Sequence, residues 1–169
     1  MTLAELSLKS AVSVGMLSHI ERGQTSPSLK TLERLRVALD VPLARFFGGE
    51  APKDDEGEVV VRSDARRQLP FDALGLTKQL LSPAGHRGLE MLMLMLQPGG
   101  NSGPEPWKRS GEKGGLVLEG RFELSVGSRR YVIEAGDSFQ FDSRQPHAFR
   151  NLSRRQARVL WIIKADDPG

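Results

Sequence analysis

Apolar positions in the first part of the chain recur with the period of an α-helix. Leu17 and Ile20, for example, stand three residues apart, and a denser apolar series follows from Leu29 to Leu39. This spacing favours amphipathic helices over strands, in which apolar and polar residues alternate. The pattern predicts three short helices, at residues 3–10, 14–21 and 27–39.

Residues with capping side chains stand where these helices are expected to begin. Thr2 is followed three residues later by Glu5, which predicts a capping box at the first helix. Ser13 is expected to cap the second helix. The third helix is expected to start at Ser26-Pro27, with the proline in its first turn.

From Val59 onward the pattern changes, because Gly and Pro become frequent and short apolar runs alternate with turn residues. Many short strands at such spacing are typical of a β-sandwich or a small barrel. The segments expected as strands are 89–96, 116–118, 121–126, 131–134, 138–141 and 157–163, separated by turn signals that include Gly114-Gly115. Residues 59–83 are ambiguous, with one strand expected at residues 58–61.

Residues 48–58 (GGEAPKDDEGE) separate the two patterns. A segment so rich in Gly and acidic residues cannot pack, and it is therefore predicted to be a linker. The chain is predicted to form two domains, an all-α domain in residues 1–47 and an all-β domain in residues 59–169. With 169 residues, of which 38% are hydrophobic, it is large enough to bury a core.

Composition excludes several classes of protein. The chain has no cysteine and only 3 histidines, which excludes disulfide frameworks, thiolate metal sites and zinc fingers. No signal peptide is visible, and no apolar stretch reaches the roughly 20 residues that a membrane span needs. We therefore expect a cytoplasmic protein without a membrane partner. The formal net charge of +3 is compatible with nucleic-acid binding but does not require it.

Two short helices joined by a tight turn have the geometry of a helix-turn-helix, whose second helix enters the major groove of DNA. The phrases SVGMLSHIERG (13–23) and SPSLKTL (26–32) make residues 1–47 resemble the DNA-binding domain of the XRE (Cro/CI repressor-like) family. That resemblance implies double-stranded operator DNA as a partner. It implies groove-facing positions at Ser13, Gly15, Met16, Ser18 and His19. It also implies phosphate contacts at Thr2, Arg22, Ser28 and Lys30.

Each of these positions also has a purely structural interpretation. Ser13 caps a helix whatever the domain does, and Met16 is equally suited to core packing. His19, Arg22 and Lys30 are residue types that are common on any solvated surface.

The sequence departs from the pattern of the XRE family in three ways. Ser7 stands where the family usually has alanine. Ala11 stands where the family usually has glycine, and a left-handed conformation at that turn costs a non-glycine residue about 1 kcal/mol. The family also carries a helix before the one that starts at Leu3. A start codon placed too late, a truncated chain or a weakened domain would each explain the missing first helix, and we favour the first explanation.

The phrases GLVLEG (115–120), AGDSFQF (135–141) and PHAFRN (146–151) make residues 89–163 resemble the cupin family, a jelly-roll β-barrel. By that resemblance the family's metal ligands fall on Trp107, Arg109, Lys113 and His147. Indole, guanidinium and ammonium groups offer a metal no lone pair. We therefore predict no metal and no other cofactor in the barrel.

The two cations at these positions suggest a ligand of opposite charge. Burying Arg109 and Lys113 is costly unless their charge is compensated. A small anionic effector, such as a carboxylate or a phosphate, would compensate it, with Trp107 as an apolar wall and His147 as a polar contact. The alternatives are compensation by neighbouring acidic residues or a site that has degenerated into a plain packed or solvated end.

Together the two resemblances imply a sequence-specific transcriptional regulator rather than an enzyme. Its barrel would sense the effector and assemble the protein into a homodimer or a higher homo-oligomer, because paired half-sites multiply DNA specificity. One alternative is a cupin-type metalloenzyme, such as an epoxidase or an oxygenase, with a helix-turn-helix domain. The other is an interaction module whose DNA-binding domain is vestigial.

Overall fold

The structure, a computed structural model, describes residues 1–41, 43–47, 59–83 and 88–165. The chain divides into two compact units, Met1–Phe46 and Phe47–Gly169. The predicted linker at residues 48–58 lies outside the described residues. An all-α unit is followed by an all-β unit, and the predicted fold class is confirmed.

Three α-helices and a short 3-10 helix form the first unit. They are α1 (Leu3–Ser10), α2 (Val14–Glu21), α3 (Leu29–Leu39) and the 3-10 helix Leu43–Phe46. The periodic apolar residues form the core. Val12, Leu17 and Leu35 are buried there, and Leu3, Leu6, Ile20 and Phe46 pack around them.

The predicted caps of the first two helices are confirmed. The Thr2 hydroxyl accepts the Glu5 N–H at 3.2 Å, and the Glu5 carboxylate accepts the Thr2 N–H at 2.8 Å. Ser13 Oγ accepts the Met16 N–H at 3.3 Å. Each contact satisfies a backbone donor that the first turn of a helix leaves without an intrahelical partner.

The third helix begins two residues later than predicted. Ser28, rather than Ser26, is the cap, because its backbone is extended (φ −63°, ψ 159°) and its hydroxyl accepts the Thr31 N–H at 3.1 Å. The Ser28 and Thr31 hydroxyls are also 2.8 Å apart. Pro27 therefore precedes the helix instead of forming its first turn.

Nine antiparallel strands make up the second unit within the described residues. They are β1 (Gln68–Phe71), β2 (Leu76–Leu80), β3 (Leu89–Leu96), β4 (Glu112–Glu119), β5 (Arg121–Val126), β6 (Arg129–Glu134), β7 (Ser138–Asp142), β8 (His147–Asn151) and β9 (Ala157–Lys164). One sheet has the order β1-β2-β3-β9-β4-β7, and the other has the order β6-β5-β8. Two facing antiparallel sheets with these crossovers are the jelly-roll arrangement.

Three details of the strand prediction are wrong. Val60 and Val61 belong to no strand, and Glu58 lies outside the described residues; β1 and β2 follow instead. Gly114-Gly115 is not a turn but lies inside β4, where a Cβ atom on Gly115 would collide with the Leu160 carbonyl. The segment of β8, noted only as a motif, is also a strand.

Strand registers define which side chains face the barrel interior. Lys113 pairs with Ile163, and Ile163 pairs with Glu90 on its other side, so these three residues share one face. His147 shares the inward face of the smaller sheet with its register partner Val126. Apolar side chains fill most of the interior. The buried members include Leu76, Leu80, Leu92, Leu94, Leu96, Val117, Phe122, Leu124, Val159, Trp161 and Ile163.

Candidate DNA-binding helix and barrel interior

Helix α2 presents one face to the core and the opposite face to solvent. Leu17 is only 3% exposed, and Ile20 packs beside it. The positions predicted to face DNA lie mainly on the outer side. Ser13, Gly15, Met16 and His19 are exposed, while Ser18 is half-buried. Core packing is therefore not the role of Met16 in the described unit.

The positions predicted to contact phosphates are all exposed, but the hydroxyl residues among them have a structural role as well. Thr2 and Ser28 cap helices α1 and α3. Arg22 is the C-cap residue of α2, and Lys30 lies in the first turn of α3. Backbone N–H groups at a helix start favour anions, so a capping hydroxyl and a phosphate contact are compatible at the same position.

Lys113 and His147 form the centre of the polar cluster inside the barrel. Lys113 is 7% exposed and His147 is 1% exposed, and Lys113 Nζ lies 2.7 Å from His147 Nε2. His147 Nδ1 lies 2.9 Å from the carbonyl of Gln145. A carbonyl accepts only, so we assign the imidazole proton to Nδ1, and Nε2 then accepts from the Lys113 ammonium.

The electrostatics agree with that assignment. Burial, and after it the positive charge of Lys113, lowers the pKa of His147 from an ordinary value of 6.5 to about 4. The hydrogen bond to the Gln145 carbonyl opposes this shift because it favours a protonated ring. His147 is therefore neutral near pH 7, and the ammonium carries the charge of the pair.

Trp107 and Arg109 reach the same cluster from the segment before β4. Trp107 pairs with His147 through two backbone hydrogen bonds, of 2.7 and 2.8 Å. The Trp107 indole N–H donates to the Ser102 carbonyl at 2.9 Å. Arg109 Nη1 lies 4.0 Å from Glu90 Oε2, and both side chains are largely buried. The structure therefore places all four predicted effector residues around one part of the interior.

Two further charged residues of this cluster, Lys78 and Glu90, were missed in the sequence. Lys78 is 8% exposed, and its Nζ lies 5.8 Å from the centre of the Trp107 ring. Both break an apolar alternation, Lys78 between Leu76 and Leu80 and Glu90 within the run of β3. A charged residue is rarely buried on the inner face of a strand without a partner. The position of each charge among alternating apolar residues could therefore have identified Lys78 and Glu90.

Aromatic rings occupy the interior next to the charged cluster. Phe122 stacks on Phe139 and Phe149, with ring centres 6.0 and 5.5 Å apart. The Phe141 ring lies 5.0 Å from the His147 ring. Phe139 and Phe141 are only half-buried because they line an open cavity of about 1040 Å³ between β6 and β7. Phe141 thus separates this cavity from the charged cluster.

The chemistry of the four side chains does not fit a metal ion. Lys113 directs its ammonium at the one imidazole nitrogen that has a free lone pair, and Arg109 and Trp107 contribute no metal-binding atom. Among the described residues, no group of three or more His, Cys, Asp or Glu side chains is close enough to hold a metal ion.

The two units match two family models. Residues 1–46 match the helix-turn-helix family, and residues 92–163 match the cupin domain. The chain is 32% identical to the HTH-type transcriptional regulator PuuR of Escherichia coli (strain K12), an alignment that covers 96% of this chain and 88% of PuuR. The chain belongs to this family of helix-turn-helix regulators. It is therefore a DNA-binding transcriptional regulator with a cupin domain.

Two solved structures share the fold of this chain. The crystal structure of an HTH_3 family transcriptional regulator from Vibrio cholerae has a TM-score of 0.75 and 24% identity, covering 99% of this chain and 88% of that one. The iron(II) form of HppE has a TM-score of 0.54 and 19% identity, covering 96% of this chain and 90% of that one. Both likenesses concern the fold alone. Within the described part of this regulator, no helix is long and apolar enough to cross a membrane.

Proposed function

We propose that the cupin barrel of this regulator senses a small anionic effector, without a metal, and transmits its binding to operator affinity. The observation that carries the proposal is the charge of the cluster. Among the described residues of the cluster, Lys78, Arg109 and Lys113 are cationic, Glu90 is acidic, and His147 is neutral near pH 7. An anion entering this cluster would lie among three cationic side chains.

The residue types fit carboxylates and phosphates. A guanidinium presents parallel N–H donors that match two oxygens of either group, and an ammonium adds a compact charge. These contacts gain strength among buried side chains, where the local dielectric constant is low. Trp107, whose ring centre lies 5.8 Å from Lys78 Nζ, provides an apolar surface for the remainder of such a molecule.

A binding experiment with simple anions tests the sensor. The fluorescence of the two tryptophans, both in the barrel unit, would be followed as inorganic phosphate or succinate is added, and operator binding would be measured with and without the anion. We expect Arg109→Ala to abolish the response and to leave operator binding intact. The matched control is Arg154→Ala, since Arg154 is exposed on the same unit. An Arg109→Ala protein that is unfolded by circular dichroism would favour a structural role instead.

The second part of the proposal is that α2 reads base edges with Ser18 and His19, while Lys30 contacts the phosphate backbone. Ser18→Ala combined with His19→Ala should weaken binding to the operator but not to scrambled DNA. Lys30→Ala should weaken both and lower the slope of log affinity against log salt by about 1. Equal losses of the double variant on both DNAs would contradict base reading.

We also propose that the regulator binds DNA as a homodimer or a higher homo-oligomer. A single recognition helix contacts few bases, and two-fold related helices read half-sites about 34 Å apart. Light scattering of the purified chain gives the oligomeric state directly. A monomer at the concentrations that saturate the operator would exclude this part of the proposal.

An enzymatic role remains a defined alternative because HppE, in its iron(II) form, shares the fold. Such a role as an epoxidase or an oxygenase would need metal ligands, and Trp107, Arg109 and Lys113 stand at the corresponding positions. We propose that the protein is not an enzyme. Near-stoichiometric iron, nickel or manganese in the purified protein would overturn both this and the metal-free sensor.

A further inference from the structure

The N-terminal end of α2 carries an exposed apolar surface whose role neither the core nor the predicted hydrogen-bonding residues explain. Val14 is 45% exposed and Met16 is 44% exposed, and they flank Gly15. We call these three residues the apolar tip. Neither Val14 nor Met16 can donate or accept a strong hydrogen bond, so polar base edges are not what they recognise.

Gly15 is not required by the fold. Its backbone is helical, without a positive φ, and a Cβ atom added to it would meet nothing within 4 Å. Glycine inside a helix costs about 1 kcal/mol relative to alanine. Gly15 therefore lowers the stability of the helix and leaves open space beside its backbone. The space lies between two apolar side chains, where a partner can approach the helix backbone closely.

The charge of the tip also suits nucleic acid. The first turn of α2 contains no acidic residue, and its backbone N–H groups give this end of the helix a partial positive charge. In the major groove, hydrogen-bonding groups line every base pair, and the thymine 5-methyl is the apolar group among them. An apolar tip therefore has a specific counterpart in DNA.

We propose that Val14 and Met16 contact thymine 5-methyl groups and that each operator half-site carries thymines beneath the apolar tip. Gly15 allows the helix to come close enough for these contacts. This inference rests on the proposed entry of α2 into the major groove. It adds Val14 to the residues that contact bases, and it identifies thymine as the base that Met16 contacts.

The test uses a duplex that the full chain selects from a random pool and compares it with the same duplex containing deoxyuridine in place of each half-site thymine. Deoxyuridine lacks only the 5-methyl group. Loss of one buried methyl contact should weaken binding about fourfold. A scrambled duplex with the same replacement should show no change, because non-specific binding depends on phosphates.

Variants connect the effect to the tip. Val14→Ala and Met16→Ala should each reduce the difference between the thymine and uracil duplexes, and the double variant should abolish it. Val37→Ala is the matched control, since Val37 is an exposed valine on α3 at 66% exposure. It should retain the full difference. Circular dichroism confirms folding of each variant.

The outcomes separate the two proposals. Selection of a defined motif with equal affinity for its thymine and uracil forms would overturn the thymine inference and leave the regulator's DNA reading intact. Selection of no motif would overturn the proposed entry of α2 into the groove, and the thymine inference with it. A difference that survives in the double variant, or disappears in Val37→Ala, would assign the methyl contact to another part of the protein and overturn the inference as well.

Discussion

Ala11 ends helix α1 with φ 52° and ψ 33°, a backbone conformation that a Cβ atom makes costly. Ala11→Gly removes that Cβ, and we expect the helical unit to gain about 1 kcal/mol of unfolding free energy. The same substitution at Ala4, an exposed helical residue of α1, should instead destabilise the unit by up to about 1 kcal/mol. Chemical denaturation followed by helical circular dichroism measures both. The same sign for the two variants would refute strain at Ala11.

His147 makes the stability of the barrel depend on pH. Its imidazole is neutral in the folded protein down to a pKa of about 4, whereas the unfolded chain binds a proton below about 6.5. The unfolded state therefore gains protons first as the pH falls. The lowered pKa of His147 therefore contributes to the free energy of unfolding in full above pH 6.5. This contribution, up to about 3 kcal/mol, is lost as the pH falls from about 6.5 to 4.

Tryptophan fluorescence during denaturation at several pH values measures this loss, because Trp107 and Trp161 both belong to the barrel unit. His147→Gln should flatten the pH dependence, whatever its effect on absolute stability. His19→Gln, which changes an exposed histidine of the other unit, should leave the barrel's pH dependence unchanged. A wild-type barrel equally stable at pH 4.5 and 7 would show that His147 is not the controlling group.

At the scale of the element, strand β4 depends on a glycine for its place in the sheet. A Cβ atom on Gly115 would meet the Leu160 carbonyl, which is backbone and cannot move aside, and would lie 2.6 Å from the Phe139 ring. We expect Gly115→Ala to destabilise the barrel by about 3 kcal/mol. At Gly114 the nearest atom is the Phe139 carbonyl, at 3.1 Å, so Gly114→Ala should cost about 1 kcal/mol. Equal effects of the two variants in fluorescence-detected denaturation would contradict the close approach at Gly115.

Elements whose determinants are local were predictable from the sequence. The cap at Thr2 involves a residue only three positions away, and the periodicity of α1 and α2 is visible in any short window. Ser26 and Ser28 are both suitable caps in sequence. Only the backbone path after Pro27 decides between them, which is why the start of α3 was misplaced.

Elements whose determinants are distant were not predictable. In the sequence, Gly115 has the appearance of a turn residue. The pairing of β4 with β9 places Leu160 beside it, and this contact with a distant strand is what requires glycine. The motif spacing was enough to bring Trp107, Arg109, Lys113 and His147 together. Lys78 and Glu90 come from β2 and β3, outside the matching motifs, and only strand register turns them toward the same interior.

For the whole molecule, regulation requires the effector and the operator to influence each other's binding. If the anion changes operator affinity by some factor, the operator must change anion affinity by the same factor, since both follow from one coupling free energy. Regulators typically show couplings of about 1–3 kcal/mol, which is roughly 5- to 150-fold. An anion that strengthens operator binding is itself bound more tightly when the operator is present, and an anion that weakens operator binding is bound less tightly.

Two titrations check this equality in the intact chain. Fluorescence anisotropy of a labelled operator gives its affinity with and without saturating succinate or phosphate, and tryptophan fluorescence gives the anion affinity with and without operator. We expect equal ratios in the wild type. In Arg109→Ala both ratios should fall to one, whereas Arg154→Ala should preserve them. An anion that binds the barrel while both wild-type ratios equal one would mean that the cupin domain binds this ligand without regulating DNA, because a ligand shifts an equilibrium only by its difference in affinity for the two states.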